Sequence, residues 1–374
     1  MESKNNKLLE KRMLNSKINV RNPIVMAPMT TFSGNDDGTV SKAELDYYKV
    51  RAKSVGMVIT ATTYVIPSGK GFKGQFAAYD DSFLDSLKEL AETIKNEGAV
   101  AILQIFHAGR MALPDEIPTG QTISASAVAA ERPGAMTPRA MTEKEIQDII
   151  KAFGKTTELA IKAGFDGVEV HGANTYLLQQ FFSPHSNRRE DNWGGSLERR
   201  MNFPLAVIEE VKKVVKEKAG DDFIVGYRFS PEEIENPGIT LEDTLSFIDV
   251  LSDKGLSYLH ASLSDFWQGS MRDKSKAESI ITKILNQIHG RVPLIGVGSI
   301  YTADDAIKAL DAGVEFLSLG REIIMEPDWM RKVEMGKSSE IRTNLKKSDR
   351  ELLKIPEPLW NAIMNTQGWF PIVE

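Results

Sequence analysis

Gly167-Val168-Glu169-Val170-His171-Gly172-Ala173-Asn174-Thr175-Tyr176-Leu177-Leu178 opens as a short, mostly apolar run and turns polar after His171. A run with little polar alternation suits a parallel strand buried on both faces, and the polar residues after it suit a loop at its carboxyl end. Seven more runs share this form, at residues 24–29, 56–60, 100–106, 223–229, 257–262, 293–298 and 315–319; with 167–171 there are eight. Helical periodicity fills the intervals, at 43–55, 82–97, 142–163, 197–218, 241–254, 277–289, 302–312 and 328–335. Thr142-Glu143-Lys144-Glu145 is a capping box, Thr240 and Thr302 are N-caps by the same chemistry, and Gly98, Gly164, Gly255 and Gly313 sit where helices should stop. Eight strands alternating with eight helices predict an α/β chain folded as a (β/α)8 TIM barrel over residues 1–354. An open doubly wound sheet is the other architecture that the alternation allows.

In a barrel the loops after the strands form the carboxyl-terminal mouth, where sites are assembled. Two long irregular stretches, 64–79 and 109–141, follow strand ends and are expected there as lids. Residues 355–374 contain Pro356, Pro358, Pro371, Trp360, Trp369 and Phe370. They read as an ordered, non-helical tail that packs on its own barrel or on a neighbouring subunit, and the second arrangement would give a homodimer.

The chain has 374 residues, 41% apolar and 26% charged, enough to bury a large core. Its net charge of −6 argues against nucleic acid as a partner, because a phosphate-backbone binder needs a basic surface. Without cysteine there is no disulfide, thiolate metal site, Fe–S cluster or Cys nucleophile. Residues 1–20 lack the apolar core of a secretory signal and no run approaches bilayer length, so a cytoplasmic protein without membrane contact is expected.

The opening stretch also carries chemistry. His171 and Asn174 can both donate hydrogen bonds to one carbonyl oxygen, and Tyr176 offers a phenolic proton close by. Such a trio suits reduction of an activated alkene, in which negative charge builds on a carbonyl oxygen and a proton is then required at the α-carbon. A lone His at a strand end more often just satisfies a hydrogen bond; the two neighbours are what favour a chemical role.

His171-x-x-Asn174-x-Tyr176-Leu177-Leu178, Gln180-Phe181-Phe182-Ser183-Pro184, Asn187-x-Arg189-x-Asp191 and Gly194-Gly195-Ser196-Leu197-Glu198-x-Arg200 together resemble the signature of the old yellow enzyme family of FMN oxidoreductases. The likeness extends over nearly the whole chain. It implies bound FMN, NADH or NADPH as hydride donor, and a small-molecule alkene acceptor (enone, enal, maleimide or nitroalkene) reduced through flavin N5 in a ping-pong cycle. In that frame His171 and Asn174 polarise the acceptor and Tyr176 protonates it.

Arg21-Asn22-Pro23-Ile24-Val25-Met26-Ala27-Pro28-Met29-Thr30 resembles the family's first strand, which places Ala27, Pro28, Met29 and Thr30 against the flavin, with the Thr30 hydroxyl near the C4 carbonyl. Thr62 and His171 join this set. Gln104, in Leu103-Gln104-Ile105-Phe106-His107-Ala108-Gly109-Arg110, matches the reader of the pyrimidine edge, which demands both a donor and an acceptor. Arg228, in Gly226-Tyr227-Arg228-Phe229-Ser230, matches the cation near N1. Gly298 and Ser299 after the seventh strand, and Gly320 and Arg321 after the eighth, fall where such barrels hold phosphate. No metal site is expected.

The chain departs from the family in places. Asn174 follows the branch with Asn, not His, as second carbonyl donor, and Phe32 stands where one bacterial branch has a Tyr that caps the substrate pocket. The expected substrate-binding set is therefore Phe32, His171, Asn174 and Tyr176. Gly69-Lys70-Gly71-Phe72-Lys73-Gly74 matches G-x-G-x-x-G but opens no helix and follows Pro67, so it reads as a mobile loop over the site, not a dinucleotide fingerprint. Two rival functions are a flavin-free barrel lyase or isomerase using the same phosphate glycines, and a non-catalytic FMN-binding protein. The first leaves Gln104 and Arg228 without a role, and the second leaves Tyr176 without one.

Overall fold

Each of the eight apolar runs is a strand: β1 (Ile24–Met26), β2 (Met57–Ile59), β3 (Val100–Phe106), β4 (Gly167–Gly172), β5 (Ile224–Phe229), β6 (Tyr258–Ala261), β7 (Leu294–Val297) and β8 (Phe316–Leu319). The computed structural model describes residues 6–15, 18–274 and 278–374. Each strand pairs in parallel with the next, and β8 pairs with β1, so the sheet closes into a (β/α)8 barrel. The open-sheet alternative is thereby excluded. Helices α1 (Lys42–Ala52), α2 (Leu84–Asn96), α3 (Glu143–Ala163), α4 (Leu197–Lys218), α5 (Leu241–Ser252), α6 (Ile280–Ile288), α7 (Ala303–Asp311) and α8 (Trp329–Glu334) follow the strands in turn. Residue 277, the first of the expected sixth helix, lies outside the described residues.

The caps behave as their chemistry demands. Thr142, Thr240 and Thr302 each complete a capping box, with Glu145, Asp243 and Asp305 as reciprocal partners. Gly164 ends α3 in the left-handed conformation, at φ 85°.

The barrel separates two cores. Outside it, the apolar faces of the helices pack on the outward strand residues. Inside, Val25, Met57, Ile59, Val100, Ile102, Ile224, Tyr258, Ile295 and Phe316 fill the amino-terminal half. Leu14 and Val20, from the antiparallel pair Arg12–Leu14 and Ile18–Val20, close that end. The interior is crowded enough that Gly226 on β5 has a steric role: a Cβ there would lie 2.1 Å from Cζ of Tyr258.

Two expectations need correction. Residues 355–374 are not a non-helical tail, because Glu357–Asn365 forms a helix, α9. Pro356 and Pro358 act as helix starters, lying at the cap and in the first turn, where a missing N–H costs nothing. Beyond α9, Ile372–Val373 pairs in parallel with Leu345–Lys346 of the same chain. The stretch Gly69–Gly74, expected to be mobile, is tied down: Gly69 O accepts from Ala108 N, Gly71 N donates to Gln75, Gly71 O accepts from Leu113 N, and Gly74 O accepts from Gly34 N.

Gly226→Ala should destabilise the fold by about 1–3 kcal/mol through overpacking against Tyr258, read as a lower urea midpoint at unchanged slope. An unchanged midpoint would mean that the ring has room to move aside.

Candidate active site

Near the carboxyl ends of four adjacent strands the barrel interior turns polar. Gln104 on β3 lies in register with Glu169 on β4, and His171 on β4 with Arg228 on β5. Arg228 is in turn level with His260 on β6. All five are buried. Glu169 accepts from Gln104 Nε2 at 2.7 Å and from His260 Nδ1 at 2.9 Å. Arg228 Nη2 donates to Ser262 Oγ at 3.1 Å, while its Nε is buried without a partner.

The loop after β4 is held in a strained form. Asn174 and Thr175 both adopt the left-handed region, at φ 57° and 67°, which is unusual for two successive residues other than glycine. Two glutamines of the following short helix, Leu177–Phe182, clamp this turn. Gln179 Oε1 accepts from Thr175 N, and Gln180 Nε2 donates to Thr175 O. Gln179 is braced by Glu233, and Gln180 by Ala108 O, Arg110 N and Ser124 Oγ. Asn174 N donates to Ser230 Oγ, and Asn174 Oδ1 accepts from Ser262 Oγ, both at 2.8 Å. With its oxygen so engaged, the Asn174 carboxamide keeps Nδ2 as a free donor.

The turn also places the trio read from the sequence. The rings of His171 and Tyr176 are 5.3 Å apart, and Phe106 packs on both, at 5.9 and 4.4 Å. Burial, with Arg228 and His260 adding to it, drives the His171 pKa well below its ordinary 6.5, so the ring is neutral. Its Nδ1 accepts from Ala173 N at 3.3 Å, which leaves the proton on Nε2 as a donor. Burial raises Tyr176 above its ordinary 10.0, so its phenol stays protonated.

The residues expected to meet phosphate also converge. Gly298 and Ser299 both have positive φ, at 126° and 51°. At Gly298 a Cβ would lie 2.7 Å from the Asp265 carbonyl carbon. Arg321 Nη2 donates to Ser299 Oγ at 3.0 Å. Gly320 sits against the first-strand segment, 3.1 Å from Met29 Sδ and 3.6 Å from the Ala27 Cβ if it carried a Cβ of its own. Its amide, however, donates to Glu322 Oε2 at 3.0 Å and is already engaged. Pro28 is buried and Thr30 half-buried in the same segment, and Thr62 is held by Gln75 across the next loop.

Phe32 lies at the mouth, 36% exposed and itself at φ 56°, with its ring edge-on to Phe72 at 5.2 Å. The two line a cavity of about 620 Å³ that Leu113, Pro358 and Asn361 also border. Sequence reasoning missed Phe72 and α9 here, and Ser262, His260 and Gln179 deeper in. For Glu169 a signal was present, since an acid inside an apolar buried strand demands a partner. Among the described residues no cluster of three or more His, Cys, Asp or Glu could hold a metal, and no helix is long and apolar enough to cross a membrane.

The sequence profile of the NADH:flavin oxidoreductase / NADH oxidase family matches residues 14–340. The chain is 46% identical over 371 residues to a probable NADH-dependent flavin oxidoreductase of Bacillus subtilis, covering 99% of each. It is 44% identical over 359 residues to an NADH:acrylate oxidoreductase of Vibrio harveyi, a longer protein of which the match spans 36%. Morphinone reductase, solved in complex with tetrahydroNAD, superimposes with a TM-score of 0.77 at 26% identity, over 98% of both chains. The chain is thus a member of the NADH:flavin oxidoreductase / NADH oxidase family and a homologue of the old yellow enzymes, an oxidoreductase that works with flavin and nicotinamide cofactors.

Proposed function

We propose that this protein is an FMN-dependent ene-reductase, which uses NADH or NADPH to reduce alkenes activated by a neighbouring carbonyl or nitro group. One observation supports the reading above the rest: a neutral His171 with its donor proton on Nε2 stands beside a protonated Tyr176. Neither group serves a protein that only stores flavin.

The residues present fit FMN. Arg228 has a buried, unpartnered Nε for the N1 side, and Gln104 has its carbonyl and one amide proton left for the pyrimidine edge. Ala27, Pro28, Met29, Thr30 and Thr62 would form the wall, while Gly298, Ser299 and Arg321 would hold phosphate. Gly320 contributes its missing side chain, because its amide is committed to Glu322. Bound FMN supplies the two-electron exchange between nicotinamide and alkene.

The chain's own groups do the rest. His171 Nε2 and Asn174 Nδ2 donate to the acceptor's carbonyl or nitro oxygen, where charge builds; each such donor is worth about 3 kcal/mol at an oxyanion. Ser262, fastened to Arg228, keeps the Asn174 amide the right way round. Tyr176 delivers the proton to the α-carbon. Phe32 and Phe72 give the apolar wall for the body of the acceptor.

An anaerobic visible spectrum tests the whole reading. The purified protein should be yellow, bleach with NADH or NADPH and regain its colour with 2-cyclohexenone; a chain that stays colourless in FMN would exclude it. Tyr176→Phe should slow the step with cyclohexenone by about 10²–10⁴-fold and leave bleaching by the nicotinamide at the parent rate. The pH profile follows from the two shifts: His171 is neutral well below 6.5 and Tyr176 protonated beyond 10.0, so cyclohexenone reduction should be flat between those values. A break near 6.5 in stopped-flow traces would show that His171 titrates and must be charged or uncharged by the medium.

A further inference from the structure

One carboxylate inside the barrel has no part in this reading. Glu169 is fully buried, and the inner core of the barrel that it adjoins is apolar, with Ile59, Ile102, Ile224 and Ile295, except for the Tyr258 phenol, on which the carboxylate acts. An ion there is costly unless partners satisfy it. Both oxygens are engaged, one by Gln104 and one by His260, and Arg228 is within Coulomb range. Burial alone would push the carboxyl up; His260, Arg228 and the hydrogen bonds outweigh it and hold the group below its usual value, ionised. Ionised, it can only accept. Gln104 must therefore turn Nε2 toward it, and the opposite flip would set oxygen against oxygen. The charge balance is local as well: Arg228 is buried and its Coulomb partner of opposite sign is Glu169.

We propose that Glu169 is a positioning residue for the flavin. It fixes which way round Gln104 presents its carboxamide, and its charge offsets that of Arg228, so a carboxylate without contact to the cofactor sets both the affinity for FMN and the reduction potential. The inference rests on Gln104 and Arg228 as flavin contacts.

Glu169→Gln keeps the shape, removes the charge and lets Gln104 flip. Titration of the apoprotein with FMN, followed by fluorescence, should show a dissociation constant about tenfold higher, the worth of one misdirected hydrogen bond. The potential of the holoprotein, measured against a reference dye, should move positive, because a buried negative charge has gone. A tenfold shift toward the reduced form is about 30 mV for a two-electron couple. Glu169→Asp keeps the charge and withdraws the carboxylate, so its potential should stay with the parent while FMN affinity falls. A packing role alone would lower the melting temperature of both apoproteins and leave the constant and the potential of E169Q unchanged, which would overturn the proposal. If E169Q does not fold, E169D decides: an unchanged FMN constant overturns the proposal, and a weakened one at parent potential supports it. A parent chain that binds no FMN would instead bring down the functional reading, and this inference with it.

Discussion

Everything at the mouth depends on the pairing of β8 with β1. Leu317, Ser318 and Leu319 align with Ile24, Val25 and Met26, and that last parallel ladder turns a sheet into a closed wall. Closure brings the carboxyl ends of all eight strands onto one rim, so residues as distant in sequence as Met29 and Gly320 become neighbours. The pairing also fixes register. His171, Arg228 and His260 share a level because three strands run in step, and a slip of one residue in any of them would turn that strand's member to the outer face.

The interior is layered by polarity, and the layering separates stability from chemistry. The amino-terminal half is apolar and sealed by Leu14 and Val20. The carboxyl half carries the buried groups Gln104, Glu169, Arg228 and His260: Gln104 and His260 donate to Glu169, Arg228 donates to Ser262 and lies within Coulomb range of Glu169, and Arg228 Nε and His260 Nε2 are left without a partner. Such a network is tolerable because each charge has a partner of opposite sign or a donor.

Much of this was legible beforehand. The eight strands appear at their expected places because strands buried on both faces must be apolar, and the helix caps at Thr142, Thr240 and Thr302 because backbone amides at helix starts need acceptors. That His171 and Tyr176 stand side by side was visible for a related reason: polar side chains crowd one strand end. What could not be read were contacts set by closure. Ser262 meets Asn174 only because β6 stands near β4 across β5, and no local pattern announces it. The prolines of 355–374 misled because the same residue that breaks a helix interior is welcome in its first turn. Gly69–Gly74 misled because glycine richness here serves close approach of backbones, as at Gly74 against Phe32.

The strained turn at Asn174 and Thr175 has a bearing on how this scaffold can be altered. Its two clamps reach outward, Gln180 to the loop after β3 and Gln179 to Glu233 in the loop after β5. Three loops that look separate along the chain therefore behave as one mechanical part. A loop grafted from a relative at any one of them would arrive without the partners that the other two supply. Recombination of such barrels at this mouth must move the three loops together or leave all three in place.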